Sequence, residues 1–304
     1  MIRTKDTATI EPIRGVRAGN TVARISSRLG NLTPINLLLP TLDERVTYTG
    51  PAHYYWDVSG IIKQSAANVW PLEYRDGVAV GRHEPEPAIT NWQVNNRGHV
   101  VGDNVVKSDD FNLVTNPTGG PDGGPIAQFS KAIDGNFQVS QDINSVTLVP
   151  RTAYDDNKKW KRYAFQASTT AGSRCRIWYG FLNAPDINPY IYFAQGANLA
   201  QRDWVWSWFA RVSDDGQNML AGFAQIEREN TPFATSPVLN PGTSFNQRAA
   251  SSVSVAKQSG ATGIVVYFTD GTNKAYSFNN ATSVTLLMAG AHWSQRYISR
   301  IEYR

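Results

Sequence analysis

The residues able to do chemistry are few and scattered. The four histidines, His53, His83, His99 and His292, stand singly. None falls in the H-x-x-x-H, H-E-x-x-H or C-x-x-C spacings that bring metal ligands together on one local element. A phosphate-cradling glycine loop and a G-x-S-x-G elbow are likewise missing from the chain. No catalytic residue, metal or cofactor is therefore expected. Glycoside hydrolysis needs only two carboxylates, and Asp109, Asp110, Asp155, Asp156, Glu227 and Glu229 could supply them. Asp and Asn residues at 155–157 and 214–218 could hold a structural calcium ion, although solvated turn residues are the commoner use of such positions. The lone Cys175 alternates with Arg174 and Arg176 and reads as a small buried hydrophobe.

The aromatic residues offer a different chemistry, stacking on sugar rings. Trp204, Trp206 and Trp208 recur at every second position of 203–212, so a strand places them on one face with Ala210 and Val212. Two uses compete for that row. A concave sheet can present it to a glycan, or it can pack against an opposing sheet, the commoner use of three large rings. Tyr55 and Trp56, within His53-Tyr54-Tyr55-Trp56, carry the same choice, and alternation sends at least one ring of that cluster to the core.

The elements that must position these residues read as strands. Alternation and turn residues predict short strands at 45–48, 54–58 and 77–80, with Asp76-Gly77 as a two-residue hairpin turn. The run Asn116-Pro-Thr-Gly-Gly-Pro-Asp-Gly-Gly-Pro125 is a surface loop. Beyond Ile126 the pattern becomes regular. Lys161, Tyr163, Phe165 and Ala167 share one face and Arg162, Ala164, Gln166 and Ser168 the other, as in an antiparallel sheet with one wet side. Further strands are expected at 174–181, 190–195, 263–269 and 274–278, and at 297–304 as a charged edge.

Composition limits the partners. With 304 residues and 41% hydrophobic content, the chain can bury a sizeable core. A net charge of +4 is too mild for a nucleic-acid partner unless it is concentrated, and the longest apolar runs fall far short of the roughly 20 residues of a membrane span. The first residues, MIRTKDTATIEPIRG, are charged and lack an apolar signal region. Basic residues do gather early, including Arg14 and Arg17, in a segment broken by Gly15, Gly19, Gly30, Pro34 and Pro40. Residues 1–42 are read as an extended arm, with Ile35, Leu37, Leu38 and Leu39 as anchors on a neighbouring subunit or particle protein. A strand pairing within the same chain is the equal alternative.

Two motifs carry a resemblance. Ala224-Gln225-Ile226-Glu227 followed by Ala234-Thr235-Ser236-Pro237 is similar to a recurring element of tailed-bacteriophage tail and fibre proteins with a carbohydrate-binding-module-like β-sandwich. Tyr55-Trp56-Asp57-Val58-Ser59-Gly60-Ile61-Ile62, with Ala66-Ala67-Asn68 and Glu84-Pro85-Glu86-Pro87-Ala88-Ile89-Thr90-Asn91, resembles the segment preceding that sandwich. The strand at 160–170 followed by Asn188-Pro-Tyr-Ile-Tyr-Phe193 resembles its paired strands, whereas the polar stretch 92–125 departs from the pattern.

The resemblance implies an all-β fold, an antiparallel jelly-roll-like β-sandwich preceded by an extended N-terminal arm. The division expected is 1–42 as the arm, 43–125 as a β-rich connecting region and 126–304 as the sandwich. It further implies a structural protein of the virion, assembled in the bacterial host cytoplasm. Such a protein would be a tail fibre or tail-associated adhesin contacting host-surface polysaccharide, joined to other virion proteins and assembled as a homo-oligomer, by analogy with fibres a trimer. An architectural part without glycan binding, such as a head decoration, collar or baseplate component, and a small glycan-cleaving enzyme stand as the alternatives.

Overall fold

The structure, a computed structural model, describes residues 32–92, 113–130, 146–148, 152–155, 160–169, 202–212, 218–228, 232–239 and 244–304. Arg14, Arg17, Cys175, His99 and the strands expected at 174–181 and 190–195 lie outside the described residues. Among those described, every regular element is a strand, all pairings are antiparallel and no helix occurs.

The largest sheet has nine strands, in the order Val146–Leu148, Lys161–Thr169, Arg202–Val212, Asn218–Arg228, Ile89–Asn91 and Asn246–Arg248. Thr152–Asp155 joins Lys161–Thr169, and the hairpin Leu113–Asn116 with Ile126–Ser130 joins Asn218–Arg228. Its two long central strands pair from Trp204↔Arg228 to Val212↔Met219, interrupted by a bulge between Ser207 and Phe209. At that bulge Phe223 takes φ 55°, a left-handed backbone rare for a bulky residue.

A second body is built from chain-distant pieces. Ile35–Asn36 pairs with Ile298–Tyr303, which continues through Gly263–Phe268 to Asn273–Ser277. A three-stranded sheet orders Ser283–Thr285, Ser252–Ala256 and Val46–Thr49. Ile35, Leu37, Val46, Tyr48 and Trp70 therefore share one core with Val253, Val255, Ile264, Val266 and Ile301. Strands on both sides of residue 43 build this core, with residues after 250 closing it. Each aliphatic side chain buried there contributes about 1.5–3 kcal/mol relative to exposure.

Two short hairpins complete the architecture. Glu73–Arg75 and Val78–Gly81 turn through Asp76-Gly77, whose φ values of 49° and 78° are the two positive angles of a type I′ turn. Tyr54–Trp56 and Ile62–Gln64 enclose the Asp57–Ile61 loop. Asp57 organises that loop, its Oδ1 accepting from Ser59 N (2.9 Å), Ser59 Oγ (2.6 Å) and Ile61 N (2.9 Å). Burial opposes the charge, but Lys63, 2.6 Å away, and the hydrogen-bond donors prevail and lower the Asp57 pKa to about 2.

Several expectations change. The final strand is not an edge: Ile298–Tyr303 lies between Ile35–Asn36 and Gly263–Phe268, because Ile35–Asn36 returns to pair with its otherwise open backbone edge. Ile35 and Leu37 are buried in the chain's own core, which corrects their expected role as anchors on a neighbour, while Leu38 and Leu39 are exposed. On Lys161–Thr169, where alternation left the wet face unassigned, Arg162 and Ala164 are buried, so the face that carries the guanidinium is the inner one. Accordingly, Ile35→Ala is expected to lower the free energy of unfolding in urea by roughly 2–5 kcal/mol. Leu39→Ala, at 52% exposure, should change it by no more than about 0.5 kcal/mol.

Candidate functional site

The two motifs that carry the resemblance meet in the structure around a buried segment with no strand partner. Residues 234–239 are all buried. Pro237 removes one donor, and the remaining backbone groups must find partners away from water. Side chains supply most of them. Thr235 N donates to Glu227 Oε1 (3.0 Å) and Thr235 Oγ1 to Glu227 Oε2 (2.8 Å). Ser236 N and Oγ donate to Glu86 Oε1 and Oε2, each at 2.6 Å. Val238 N donates to Gln225 Oε1 (2.7 Å). Ala234 N donates to His292 Nδ1 (2.9 Å).

The carbonyls are held in the same way. Arg162 Nη2 donates to Thr235 O (2.6 Å), Arg248 Nη1 to Ser236 O (2.9 Å), Asn91 Nδ2 to Val238 O (2.9 Å) and Asn246 Nδ2 to Leu239 O (2.8 Å). Gln225 and Glu227 lie two residues apart on one strand and so reach the segment from the same side. Their own contact, Gln225 Nε2 to Glu227 Oε1 at 2.6 Å, closes the network.

Charge is matched inside this knot. Burial alone would raise the Glu86 pKa, but Arg248, with Nη2 3.0 Å from Oε2, and the hydrogen bond from His53 hold it well below the ordinary carboxylate range. Burial pushes Glu227 up, against the hydrogen bonds from Gln225 and Thr235 and the charge of Arg162. Arg162 itself lies 5.2 Å from the ring centroids of both Phe209 and Trp293.

A second cluster adjoins the first. His53 Nδ1 lies 3.1 Å from Ser236 Oγ and 3.3 Å from Glu86 Oε2. His83 Nδ1 lies 3.2 Å from Glu73 Oε1, and Glu73 also accepts from Trp293 Nε1 (3.1 Å). The two imidazole rings are tilted at 42° with centroids 4.8 Å apart. Burial lowers the His53 pKa to about 4, leaving a neutral ring at pH 7. Thirty positions apart in sequence, these histidines become neighbours only through tertiary pairing.

Above the knot opens a groove of about 280 Å³, lined among others by Pro51, Tyr54, Gln64, Asn246, Gln247 and Arg248. Arg248 belongs to both, since its guanidinium is tied to Ser236 and Glu86 below. Next to Asn246 in the chain, Phe245 is half exposed and packs on Trp92 with ring centroids 4.3 Å apart.

The proposed sugar-stacking residues are placed unevenly. Trp56 is fully buried, packed against Phe209 and Trp293, and so is core and not a sugar platform; Tyr55 is half-buried. The side chains of Trp204, Trp206 and Trp208 lie outside the described residues, while their strand neighbours Val205, Ser207 and Phe209 are buried. Among the candidate carboxylates Glu227 is committed to Thr235, Asp109, Asp110, Asp156 and Glu229 lie outside the described residues, as do residues 157 and 214–217 of the calcium loops. The groove amides went unnoticed in the sequence because nothing local marks them.

No protein-family model, curated protein or solved structure matches this chain.

Two outcomes test the knot. Glu227→Ala strips both Thr235 donors of their acceptor and should destabilise the fold by about 3 kcal/mol in urea denaturation. The second concerns pH. Burial, aided by the Arg162 charge, lowers the His292 pKa from 6.5 to about 4, so the unfolded chain takes up the proton first. The stability due to neutral His292 is full above pH 6.5 and is lost as pH falls from 6.5 to 4. His292→Asn, which keeps an acceptor for Ala234 N but does not titrate, should flatten that part of a stability-versus-pH profile.

Proposed function

We propose that this chain is a structural protein of a tailed-phage virion. It is displayed as a tail fibre or tail-associated adhesin, with a jelly-roll-like β-sandwich body that contacts a host-surface glycan. Other virion proteins and further copies of the chain, a trimer by analogy with fibres, are its partners in that reading. The observation that carries the glycan contact is the groove between the Tyr54–Gln64 hairpin and Asn246–Arg248. An aromatic ring, several carboxamides and a guanidinium-floored wall form the donor, acceptor and flat apolar set that a sugar ring uses. The volume of about 280 Å³ suits one or two saccharide units. The half-exposed Phe245 with Trp92 supplies a second ring beside it.

The virion assignment is supported by the two resembling motifs, which turn out to be partners of one buried network. A single contact of this size is weak, and repeated copies in a symmetric particle raise its effect through multivalency. The residues that floor the groove are tied down by Glu86 and Ser236, so the site is preorganised before a ligand arrives.

The test is binding of the purified chain to host cells and to a glycan array, with Tyr54→Ala and Gln247→Ala beside the wild type. Both positions lie at the groove and outside the buried knot. Gln247 is exposed and its variant should fold as the wild type does, whereas Tyr54 also packs on the core around Trp56 and its variant should fold with lower stability. Both should lose at least tenfold in glycan affinity. Binding by none of the three, with the chain nevertheless incorporated into particles, would assign it to the particle's architecture. Release of reducing ends from host polysaccharide would assign it to the enzymes.

A further inference from the structure

We propose that His53 and His83, with Glu86 beside them, form a binding site for one divalent transition-metal ion of zinc's class. Among the described residues this is the one group where three metal-ligating side chains converge. One nitrogen of each ring and one oxygen of Glu86 lie within 4.8 Å of one another, and all three residues are at most 2% exposed.

The second observation is independent of that convergence. The Nε2 atoms of both His53 and His83 are buried and make no hydrogen bond. Two desolvated imidazole nitrogens without partners are unfavourable, and a buried polar atom without a partner calls for one. Meanwhile each Nδ1 faces a carboxylate, Glu86 at 3.3 Å and Glu73 at 3.2 Å. For His83, a carboxylate on one ring nitrogen with the other nitrogen unoccupied is the arrangement that orients a metal-bound imidazole and raises its basicity. Glu86, by contrast, is itself one of the three donors and would meet the ion beside the Nδ1 of His53.

The donor set selects the ion. Imidazole nitrogens with a carboxylate suit zinc, copper or nickel, whereas calcium and magnesium require a shell of oxygens. Donors bound at roughly 2.0–2.1 Å around a tetrahedral ion stand about 3.4 Å apart, so loading must draw the present group inward. Arg248, 3.0 Å from Glu86 Oε2, competes for the carboxylate. Both effects weaken the site relative to a closed structural zinc centre, and an affinity of roughly micromolar order is expected.

The experiment uses the full chain, stripped of metal by a chelator and refolded with or without Zn²⁺ so that burial does not block entry. Bound metal is counted by atomic spectrometry, affinity is measured by calorimetry, and Co²⁺ reports nitrogen ligation through its visible absorption. One equivalent per chain is expected, with a rise in Tm, and at least tenfold weaker binding in His53→Gln and His83→Gln. His292→Gln, outside the cluster, should bind as the wild type does. The wild type alone decides if the glutamine variants fail to fold. A folded wild type that takes up no Zn²⁺ or Co²⁺ at about a hundred micromolar overturns the proposal, as does binding that both folded glutamine variants retain. A bridging water between the two rings would then account for the unpartnered nitrogens.

Discussion

The fold depends on solving the hydrogen bonding of residues 234–239, a buried length of backbone that belongs to no strand. A chain in that position loses water and gains no ladder, so each N–H and C=O must be met individually. Glu227, Glu86, Gln225 and His292 accept from its amides, and Arg162, Arg248, Asn91 and Asn246 donate to its carbonyls. Those residues come from the nine-stranded sheet, from the Pro-rich segment at 84–87 and from the turn before the final strand. The segment is thus the place where distant parts of the chain are locked to one another.

Such a knot is not the least costly way to fill an interior. Buried ionic groups are often no more stabilising than apolar ones of the same shape, but they tolerate few alternative arrangements. Here each carboxylate has an arginine nearby and several donors, and Arg162 also rests against the rings of Phe209 and Trp293. The result is directional. An apolar plug could slide or rotate, whereas donors paired to named acceptors fix the path of 234–239 and, through Arg248, the floor of the groove.

The same directionality links structure to the proposed contact with sugars. A groove whose guanidinium is anchored from below presents its amides on a stiff base, which lowers the ordering cost when a ligand binds. His53 and the Arg248 of that base both lie against Glu86 Oε2, so an ion bound at the histidines and a glycan bound in the groove would share one carboxylate as a neighbour. Core packing of Trp56, in turn, holds the Tyr54–Gln64 hairpin against Phe209 and Trp293.

What was determined by sequence alone is local. Alternation located the strands at 161–169, 202–212 and 263–268, and Asp76-Gly77 announced its hairpin, because side-chain period and left-handed turn preferences act over a few residues. The motif Ala224–Glu227 with Ala234–Pro237 also stood out as a unit, though the reason, carboxylate and amide reaching across to a strandless backbone, was hidden. Only the tertiary structure decided which face of Lys161–Thr169 is buried, since alternation yields two faces and leaves the choice open until Thr235 O and two aromatic rings are known to await Arg162. It alone turned Ile35 and Leu37 inward, made Ile298–Tyr303 central and brought His53 beside His83. Each of those outcomes depends on pairing between segments far apart in the chain, and no spacing along the chain encodes which distant strand will supply the other half of a core.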